Sequence, residues 1–252
     1  MSCTHTARNS NSKFHIQKKR SSLTPREFKQ WRQDWYHKQR SNALIMGILN
    51  VTPDSFSDGG CYLNLNQAKT QIARMLAEGA DIIDVGGESS RPGAKSVSVN
   101  EELSRVLPVI EAIREQSDCV ISIDTVKAEV MSAAVAAGAN MINDISALTN
   151  PASLKIAAEV QVPVCLMHMQ GVPQTMQKNP EYPEGVLPTL LHFFKERYET
   201  CQEAGIAREN IIFDQYCGVK FVPGDPSLLY PVLDSVFNWS SLVQNSFVGY
   251  PS

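Results

Sequence analysis

Carboxylate and amide side chains stand at or near the ends of several short apolar runs in this sequence. They are Asn50, Asp84, Asp124, Asn143, Asp144 and Asp214, and the imidazole of His168 stands in a similar position. Each run has the length of a buried β-strand and leads into polar or glycine-containing residues. If the runs are parallel strands of one sheet, their carboxyl ends meet, and these side chains converge on one cavity that can bind a ligand through hydrogen bonds.

Two polar loops mark the mouth of that cavity. Residues 50–60 contain Asn, Thr, two Asp and two Ser, and residues 86–93 combine a carboxylate, two hydroxyls and an Arg with glycine. A turn that only connects two elements does not need so many polar groups. We interpret both loops as parts of one binding mouth, in which four glycines allow opening and closing: Gly59, Gly60, Gly86 and Gly87.

The elements that must position these residues alternate along the chain. Apolar runs predict strands near 44–49, 81–85, 119–124, 140–144, 163–168 and 210–214, and amphipathic segments predict helices near 66–78, 100–116, 126–137, 152–160 and 186–205. This alternation predicts an α/β fold with a parallel sheet. No Gly-x-Gly-x-x-Gly follows the first strand, which favours a TIM (β/α)8-type barrel over a doubly wound sheet.

Both polar loops resemble the two signature loops of the dihydropteroate synthase family. The resemblance continues through Ile121-Ser-Ile-Asp124-Thr-Val-Lys127, Ala139-Asn-Met-Ile-Asn143-Asp144-Ile and Val164-Cys-Leu-Met-His168-Met-Gln-Gly171, and covers residues 44 to 214. It implies a transferase of folate biosynthesis and a sulfonamide target. Its reaction would condense 6-hydroxymethyl-7,8-dihydropterin pyrophosphate with p-aminobenzoate to give 7,8-dihydropteroate and pyrophosphate.

The resemblance assigns roles to the strand-end residues. Asn50, Asp84 and Asp124 match catalytic positions of the family. The positions that match pterin contacts are Asp124, Asn143, Met167 and Asp214. A pterin presents adjacent N–H donors along a flat edge, and a carboxylate that accepts two hydrogen bonds is a suitable partner for that edge in a desolvated pocket.

The same resemblance implies a p-aminobenzoate site in the loops and a metal ion beside the pyrophosphate. The positions that match p-aminobenzoate contacts are Thr52, Pro53, Phe56, Ser90, Arg91 and Pro92. Asn50 matches the residue that helps to hold Mg²⁺, the cofactor that the resemblance implies. The ion would stabilise charge on the departing pyrophosphate, and Mg²⁺ takes few protein ligands, so one amide is acceptable.

Plainer interpretations stay open for some of these polar residues. Asp124 or Thr125 could be the N-cap of the helix predicted from residue 126. Of Asn143 and Asp144, one is expected to bind the ligand and the other to fix the loop, and we expect Asn143 to be the ligand. His168 follows an apolar strand between two Met residues, so we place it behind the residues that contact the substrate.

The resemblance ends after Asp214. Residues 215–252 contain three charged residues, Lys220, Asp225 and Asp234, and lack the Ser-Arg-Lys and Arg-x-His segments of the family. We therefore expect a barrel whose last β/α unit is missing, through a frameshift or through natural divergence. Two other functions stay open: a catalytically impaired, pterin-binding remnant, and a related pterin-dependent methyltransferase domain, a family that lacks the loop of residues 50–60.

Composition indicates the setting of the protein. The six cysteines form no Cys-x-x-Cys pair, no apolar run approaches the ~18 residues of a membrane span, and the net charge is −3. We expect a cytoplasmic protein that binds small-molecule substrates, with no nucleic acid and no membrane as partners. The resemblance adds a possible homodimer.

The first forty residues differ from the rest of the chain. Residues 1–40 hold ten Lys and Arg against two acidic residues, so they carry +8 and leave −11 for the remainder. We interpret them as a partly disordered basic extension with a short helix, with a targeting peptide or an anion-binding arm as alternatives. Residues 41–252 would then form the pterin-binding barrel domain.

Overall fold

The computed structural model describes Gln30 and residues 45–52, 61–89, 96–169, 171, 182–183 and 185–214. In the first helix it describes side chains from Leu65 onward. The basic extension apart from Gln30, and all of residues 215–252, lie outside this part of the chain. Gln30 is helical, which agrees with the predicted short helix, but the other residues of that helix are not described. The prediction of a missing last β/α unit likewise concerns residues that are not described.

Six parallel strands form one sheet in the described residues. They are β1 (Met46–Asn50), β2 (Ile82–Gly86), β3 (Val120–Asp124), β4 (Met141–Asp144), β5 (Val164–Met167) and β6 (Ile211–Asp214). Their order in the sheet is their order in the sequence. A doubly wound sheet reverses its strand order at a switch point, whereas a barrel adds each strand beside the previous one. The predicted parallel α/β fold is confirmed.

Five α-helices alternate with these strands. They are α1 (Cys61–Ala77), α2 (Val99–Gln116), α3 (Ala128–Ala137), α4 (Pro151–Val160) and α5 (Val186–Glu203), and a 3-10 turn at Arg208–Asn210 precedes β6. All five helices were predicted, but α1 begins before the predicted start at residue 66, and the 3-10 turn was not predicted. None of the helices in the described residues is both long and apolar enough to cross a membrane.

Local sequence determines where several helices begin and end. Ser98 Oγ accepts a hydrogen bond from the N–H of Glu101 at 3.2 Å and caps α2. Asn150 caps α4 in the same way, and Pro151 occupies the first helical position. Helix α3 is capped at its carboxyl end by Gly138, which has a left-handed conformation with a φ of 119°. A glycine adopts this conformation at little energetic cost.

The two faces of the sheet carry different residues. Fully buried aliphatic side chains face the helices and form the main core, among them Ile83, Ile121, Ile123, Ile142 and Leu166. A smaller cluster at the amino ends of β1 to β3 joins Met46, Ile82 and Val120 on the other face. Because successive side chains of a strand point to opposite faces, every second residue beyond Ile82 and Val120 also lies on this inner face.

Candidate active site

The predicted strand-end residues share the inner face of the sheet. Across β1 to β5 the register runs Asn50–Gly86–Asp124–Asn143–Cys165. Met167 follows Cys165 by two residues and pairs with Asp214 on β6. Paired residues of neighbouring parallel strands point to the same side. The structure therefore brings these predicted residues together at the carboxyl ends of the strands: Asn50, Asp84, Asp124, Asn143, Met167 and Asp214.

A hydrogen bond joins two of these side chains. Asn143 Nδ2 donates to Asp84 Oδ2 over 3.2 Å. Asp84 is 4% exposed, and its Oδ1 has no hydrogen-bond partner among the described residues. Burial raises the pKa of Asp84. The nearby Ser122 hydroxyl, which does not reach hydrogen-bond geometry, and the hydrogen bond from Asn143 both lower this pKa, but by less than burial raises it. A buried oxygen with unused lone pairs is suited to accept a hydrogen bond from a ligand.

Gly86 lies closely between the side-chain oxygens of Asn50 and Asp124. A Cβ atom at residue 86 would lie 3.3 Å from Asn50 Oδ1 and 3.3 Å from Asp124 Oδ2. Both side-chain oxygens therefore border the same space, and a larger residue would crowd both. The glycine keeps these oxygens accessible to a ligand.

Asp124 lies in a strongly acidic environment. Burial raises the pKa of Asp124 well above its usual range, and the charges of Asp84, Glu102, Asp144 and Glu88 raise it further. Several carboxylates close together in a desolvated cavity repel one another. A ligand that presents N–H donors or positive charge relieves this repulsion, so the cavity favours such a ligand.

The geometry shows which of Asn143 and Asp144 faces the cavity and which one fixes the loop. Asp144 Oδ1 accepts hydrogen bonds from the N–H and the hydroxyl of Ser146 at 2.7 and 2.6 Å, and its Oδ2 accepts one from the N–H of Leu148 at 3.0 Å. Asp144 therefore fixes the loop after β4, and the expectation that it converges on the cavity with the other strand-end residues is wrong, because it lies on the opposite face of the strand from Asn143. Asn143 faces the cavity, which is the arrangement that we predicted.

The geometry also decides between a cap and a site residue at the end of β3. Helix α3 begins at Ala128, four residues after Asp124, and Asp124 points to the inner face. Thr125 Oγ1 instead accepts a hydrogen bond from the N–H of Lys127 at 3.2 Å. The interpretation of Asp124 as an N-cap is therefore wrong.

His168 lies outside the cavity. It follows β5 on the face of Leu166, and its ring meets Phe193 of α5 edge-on with 4.8 Å between centroids. The residue is 3% exposed, and burial lowers the pKa of His168, so the ring is neutral at physiological pH. The expectation that His168 converges on the cavity with the other strand-end residues is therefore wrong, whereas its placement behind the residues that contact the substrate agrees with this position.

Cys165 belongs to the cavity wall and was not predicted. It is buried on the inner face, in register with Asn143. Burial raises the pKa of its thiol well above the usual range, and the charges of Asp214, Asp84 and Asp124 add to that effect. Counting back two residues from Met167 would have identified it, because side chains of a strand alternate between faces.

The two glycines at the base of the second loop are closely surrounded by other residues. A Cβ atom at Gly87 would lie 2.8 Å from Val106 Cγ1 and 2.9 Å from Glu102 Cγ. Gly86 and Gly87 are both buried. Gly87 therefore allows close packing of the loop against α2, and the freedom of movement that we expected of Gly86 and Gly87 stays a prediction. Gly59 and Gly60 lie outside the described residues.

Most of the predicted p-aminobenzoate residues lie outside the described part of the chain. Thr52 is half-buried just after β1. The remaining predicted contacts are not described: Pro53, Phe56, Ser90, Arg91 and Pro92.

Asn50, the predicted Mg²⁺ ligand, ends β1 and is exposed. The described residues contain no group of three or more His, Cys, Asp or Glu side chains that could hold a metal ion. An accessible amide oxygen beside Asp124 nevertheless has the donor chemistry that Mg²⁺ prefers, and this ion keeps most of its waters. The donor set is compatible with a hydrated Mg²⁺.

The fold and the cavity define a class of protein: a parallel α/β barrel with a polar ligand site at the carboxyl ends of its strands. The sequence profile of the pterin binding enzyme family matches residues 46–230. Dihydropteroate synthase of Haemophilus influenzae is 53% identical over 174 residues, which cover 69% of this chain and 63% of that enzyme.

Solved structures give the same relationship. Dihydropteroate synthase of Yersinia pestis, in a sulfonamide drug complex, has a TM-score of 0.64 and 45% identity and covers 77% of this chain and 68% of that one. The Burkholderia cenocepacia enzyme, complexed with 7,8-dihydropteroate, has a TM-score of 0.63 and 40% identity, and the match covers 77% of this chain and 66% of that one. The chain belongs to the pterin binding enzyme family, in which its relatives are dihydropteroate synthases.

Family membership and the barrel-type fold, both predicted from the sequence, are thus confirmed. The family profile extends past Asp214 to residue 230, somewhat beyond the point where we found the resemblance to end. The chain spans about 63% of the length of the Haemophilus influenzae relative.

Proposed function

We propose that this chain has dihydropteroate synthase activity and condenses 6-hydroxymethyl-7,8-dihydropterin pyrophosphate with p-aminobenzoate. The observation that carries the proposal is the group of inner-face side chains Asp84, Asp124, Asn143 and Asp214 at one end of the sheet. Two relatives support the choice of ligands, because one is complexed with 7,8-dihydropteroate and the other with a sulfonamide drug.

Pterin binding follows from the hydrogen-bonding capacity of the cavity. Asp84 Oδ1 and the carboxylate of Asp124 can accept hydrogen bonds from the N–H groups of a pterin edge. Asn143 donates to Asp84, which leaves its side-chain oxygen to accept from the ligand. Met167 and Asp214, paired on β5 and β6, complete the proposed pterin contacts.

The proposed condensation exchanges one bond for another at the methylene carbon of the pterin. The bond from this carbon to a pyrophosphate oxygen breaks, the neutral amine of p-aminobenzoate forms the new C–N bond, and the nitrogen then loses a proton. If the C–O bond breaks first, the enzyme needs no nucleophile of its own. The cavity has to bind both substrates in line and to exclude water from the cation.

The proposal includes a metal ion and a second substrate site. Asn50 would hold Mg²⁺, and the bound ion would neutralise charge on the pyrophosphate oxygens. Thr52 and the predicted loop residues Pro53, Phe56, Ser90, Arg91 and Pro92 would contact p-aminobenzoate.

The proposed cellular setting is a cytoplasmic homodimer. The thiols of Cys119, Cys165 and Cys201 are free, which supports a reducing compartment. The homodimer is inferred from the family resemblance, and light scattering of the purified chain would test it.

The test is a turnover assay on the full-length chain. Dihydropterin pyrophosphate, p-aminobenzoate and Mg²⁺ are supplied, and pyrophosphate and dihydropteroate are both measured. We expect the two products in equal amounts, and a rate about 100-fold lower in Asp124→Asn, because a charged hydrogen-bond partner of the pterin is lost. Failure to bind a pterin in calorimetry would overturn the proposal.

A second candidate is a pterin-binding protein that does not catalyse the condensation. It is favoured by the composition of residues 215–252, where three charged residues replace the basic segments of the family. Calorimetric pterin binding without pyrophosphate release would establish it. The presence of the loop at residues 50–60 disfavours the methyltransferase alternative.

A further inference from the structure

Three charged side chains meet beside the cavity, where the chain leaves β2 and β3. Lys127 Nζ forms ion pairs with Glu88 Oε2 and with Glu102 Oε2. The side chain of Glu102 is 1% exposed, and those of Lys127 and Glu88 are 19% and 24% exposed. An ion pair with a buried carboxylate such as Glu102 persists only when its geometry is good, because the buried charge loses its hydration.

This ion-pair cluster connects three separate segments of the chain. Glu88 lies two residues after β2, Glu102 lies in the first turns of α2, and Lys127 stands directly before α3. Gly87 makes the arrangement possible, since a Cβ atom there would collide with Glu102. The cluster therefore depends on close packing of the loop against α2.

A second cation holds the same loop. Arg105 Nη1 of α2 donates a hydrogen bond to the carbonyl of Gly87 at 2.7 Å, and Arg105 also pairs with Glu101. Gly87 is thus held through its carbonyl, and Glu88 through its carboxylate. Two successive residues at the base of the loop are fixed by cations from two different elements.

We propose that Lys127 is a positioning residue that ties the base of the loop after β2 to the start of α3 and thereby sets the affinity for p-aminobenzoate. This inference rests on the proposed function, which assigns contacts with p-aminobenzoate to residues 90–92 of the same loop. Lys127 contacts neither substrate in this scheme. It acts through Glu88, which lies two residues before Ser90 in the sequence.

The position of the cluster relative to the site supports this role. Gly86, at the end of β2, pairs in register with Asp124, and Lys127 follows Asp124 by three residues. The charges of Glu102 and Glu88 act on Asp124. Without the cation, Glu88 and Glu102 would repel each other, and the loop base would move away from α2 and from Asp124.

The test compares three variants of the full-length chain in the turnover assay. Lys127→Met removes the cation of the cluster, and Lys127→Arg keeps a cation there. The control, Lys155→Met, removes the cation of an exposed ion pair with Glu159 on a helix. In Lys127→Met we expect the KM for p-aminobenzoate to rise about tenfold and the KM for dihydropterin pyrophosphate to change less than about twofold. Lys127→Arg should restore most of the affinity, and Lys155→Met should match the unmodified chain.

A purely structural role predicts a different result. Loss of folded protein would lower kcat and leave both KM values unchanged, and that outcome would overturn the inference. An unchanged KM for p-aminobenzoate in an active Lys127→Met variant would overturn it too, and would leave the proposed function intact.

Hydrogen exchange keeps the inference testable even if the unmodified chain shows no turnover. Lys127→Met should speed exchange of the amides of residues 86–89 and leave those of β5 unchanged. In that case the absence of turnover counts against the proposed function alone. Unchanged exchange at residues 86–89 would count against the role of Lys127.

Discussion

Arg197→Met should destabilise the fold by releasing a strained, buried turn. Arg197 of α5 is 9% exposed; its Nε donates to the carbonyl of Ala147 and its Nη2 to the carbonyl of Leu148, both at 2.9 Å. Ala147 and Leu148 have φ values of 55° and 54° and are fully buried. Two consecutive left-handed residues other than glycine are unfavourable, and they persist only where the surroundings hold them.

The expected loss of unfolding free energy is about 3 kcal/mol. Each hydrogen bond from a charged donor contributes about 1.5 to 3 kcal/mol, and both carbonyls would lose their partner. Two effects reduce the sum: Met fills part of the space, and relaxation of the turn recovers about 1 kcal/mol per residue of strain. Against a total stability of about 5 to 15 kcal/mol, such a loss is readily measured.

Urea unfolding followed by circular dichroism tests this prediction. Arg197→Lys keeps the charge but cannot donate to both carbonyls from a planar group, so it should lose about half as much stability. Arg74→Met, which breaks an exposed pair with Glu78 on α1, should unfold at the same urea concentration as the unmodified chain. A loss below about 1 kcal/mol in Arg197→Met would refute the reasoning.

Three further predictions concern the cavity and its surroundings. Gly86→Ala places a Cβ atom between Asn50 and Asp124, so pterin affinity measured by calorimetry should fall about tenfold while the urea midpoint stays nearly constant. Asp124→Asn removes a buried carboxyl group whose pKa is raised. Because the folded state binds the proton of this carboxyl group more tightly than the unfolded state does, the stability of the unmodified chain falls as pH rises past ~3.9. The Asp124→Asn variant should therefore be more stable than the unmodified chain at neutral pH. Burial lowers the pKa of His168, so the stability of the unmodified chain falls as pH drops below ~6.5. The His168→Phe variant should therefore lose less stability than the unmodified chain between pH 7 and pH 5.

Specific outcomes would contradict each of these. Equal losses of affinity and stability in Gly86→Ala would show that the glycine serves the fold and not the space beside Asp124. A less stable Asp124→Asn at neutral pH would show that the carboxylate is better stabilised than its burial implies. An unchanged pH dependence in His168→Phe would mean that His168 is not the group that titrates.

The cavity residues were predictable because they follow strand periodicity. Asp84 and Asp124 lie at even spacing from apolar residues of the inner face, and Asn143 is in register with Asp124. Asp144, one residue further along β4, points to the other face of the sheet, so it does not belong to the site and fixes a loop instead. The sequence analysis found these residues from their positions at strand ends and from the family resemblance, and alternation along the short strands explains why they share one face.

The supporting cations could not be predicted in the same way. Arg197 binds carbonyls 49 and 50 residues earlier in the chain, and Lys127 pairs with Glu88 and Glu102 at separations of 39 and 25 residues. No periodicity relates such residues, since their contacts arise only after the helices have packed. For the same reason the sequence indicated mobility at Gly87, whereas the packed α2 helix requires the small residue there.

The cations of the described residues are distributed unevenly around the site. Within the described residues, Lys127, Arg105 and Arg197 bind carboxylates and carbonyls of the loops. Asp84 and Asp124 on the inner face are left with raised pKa values, chiefly because they are buried. Under the proposed function, the N–H donors of a pterin would bind these two carboxylates. Such a ligand should stabilise the folded chain by about 2.7 kcal/mol at 100 times its Kd, through mass action.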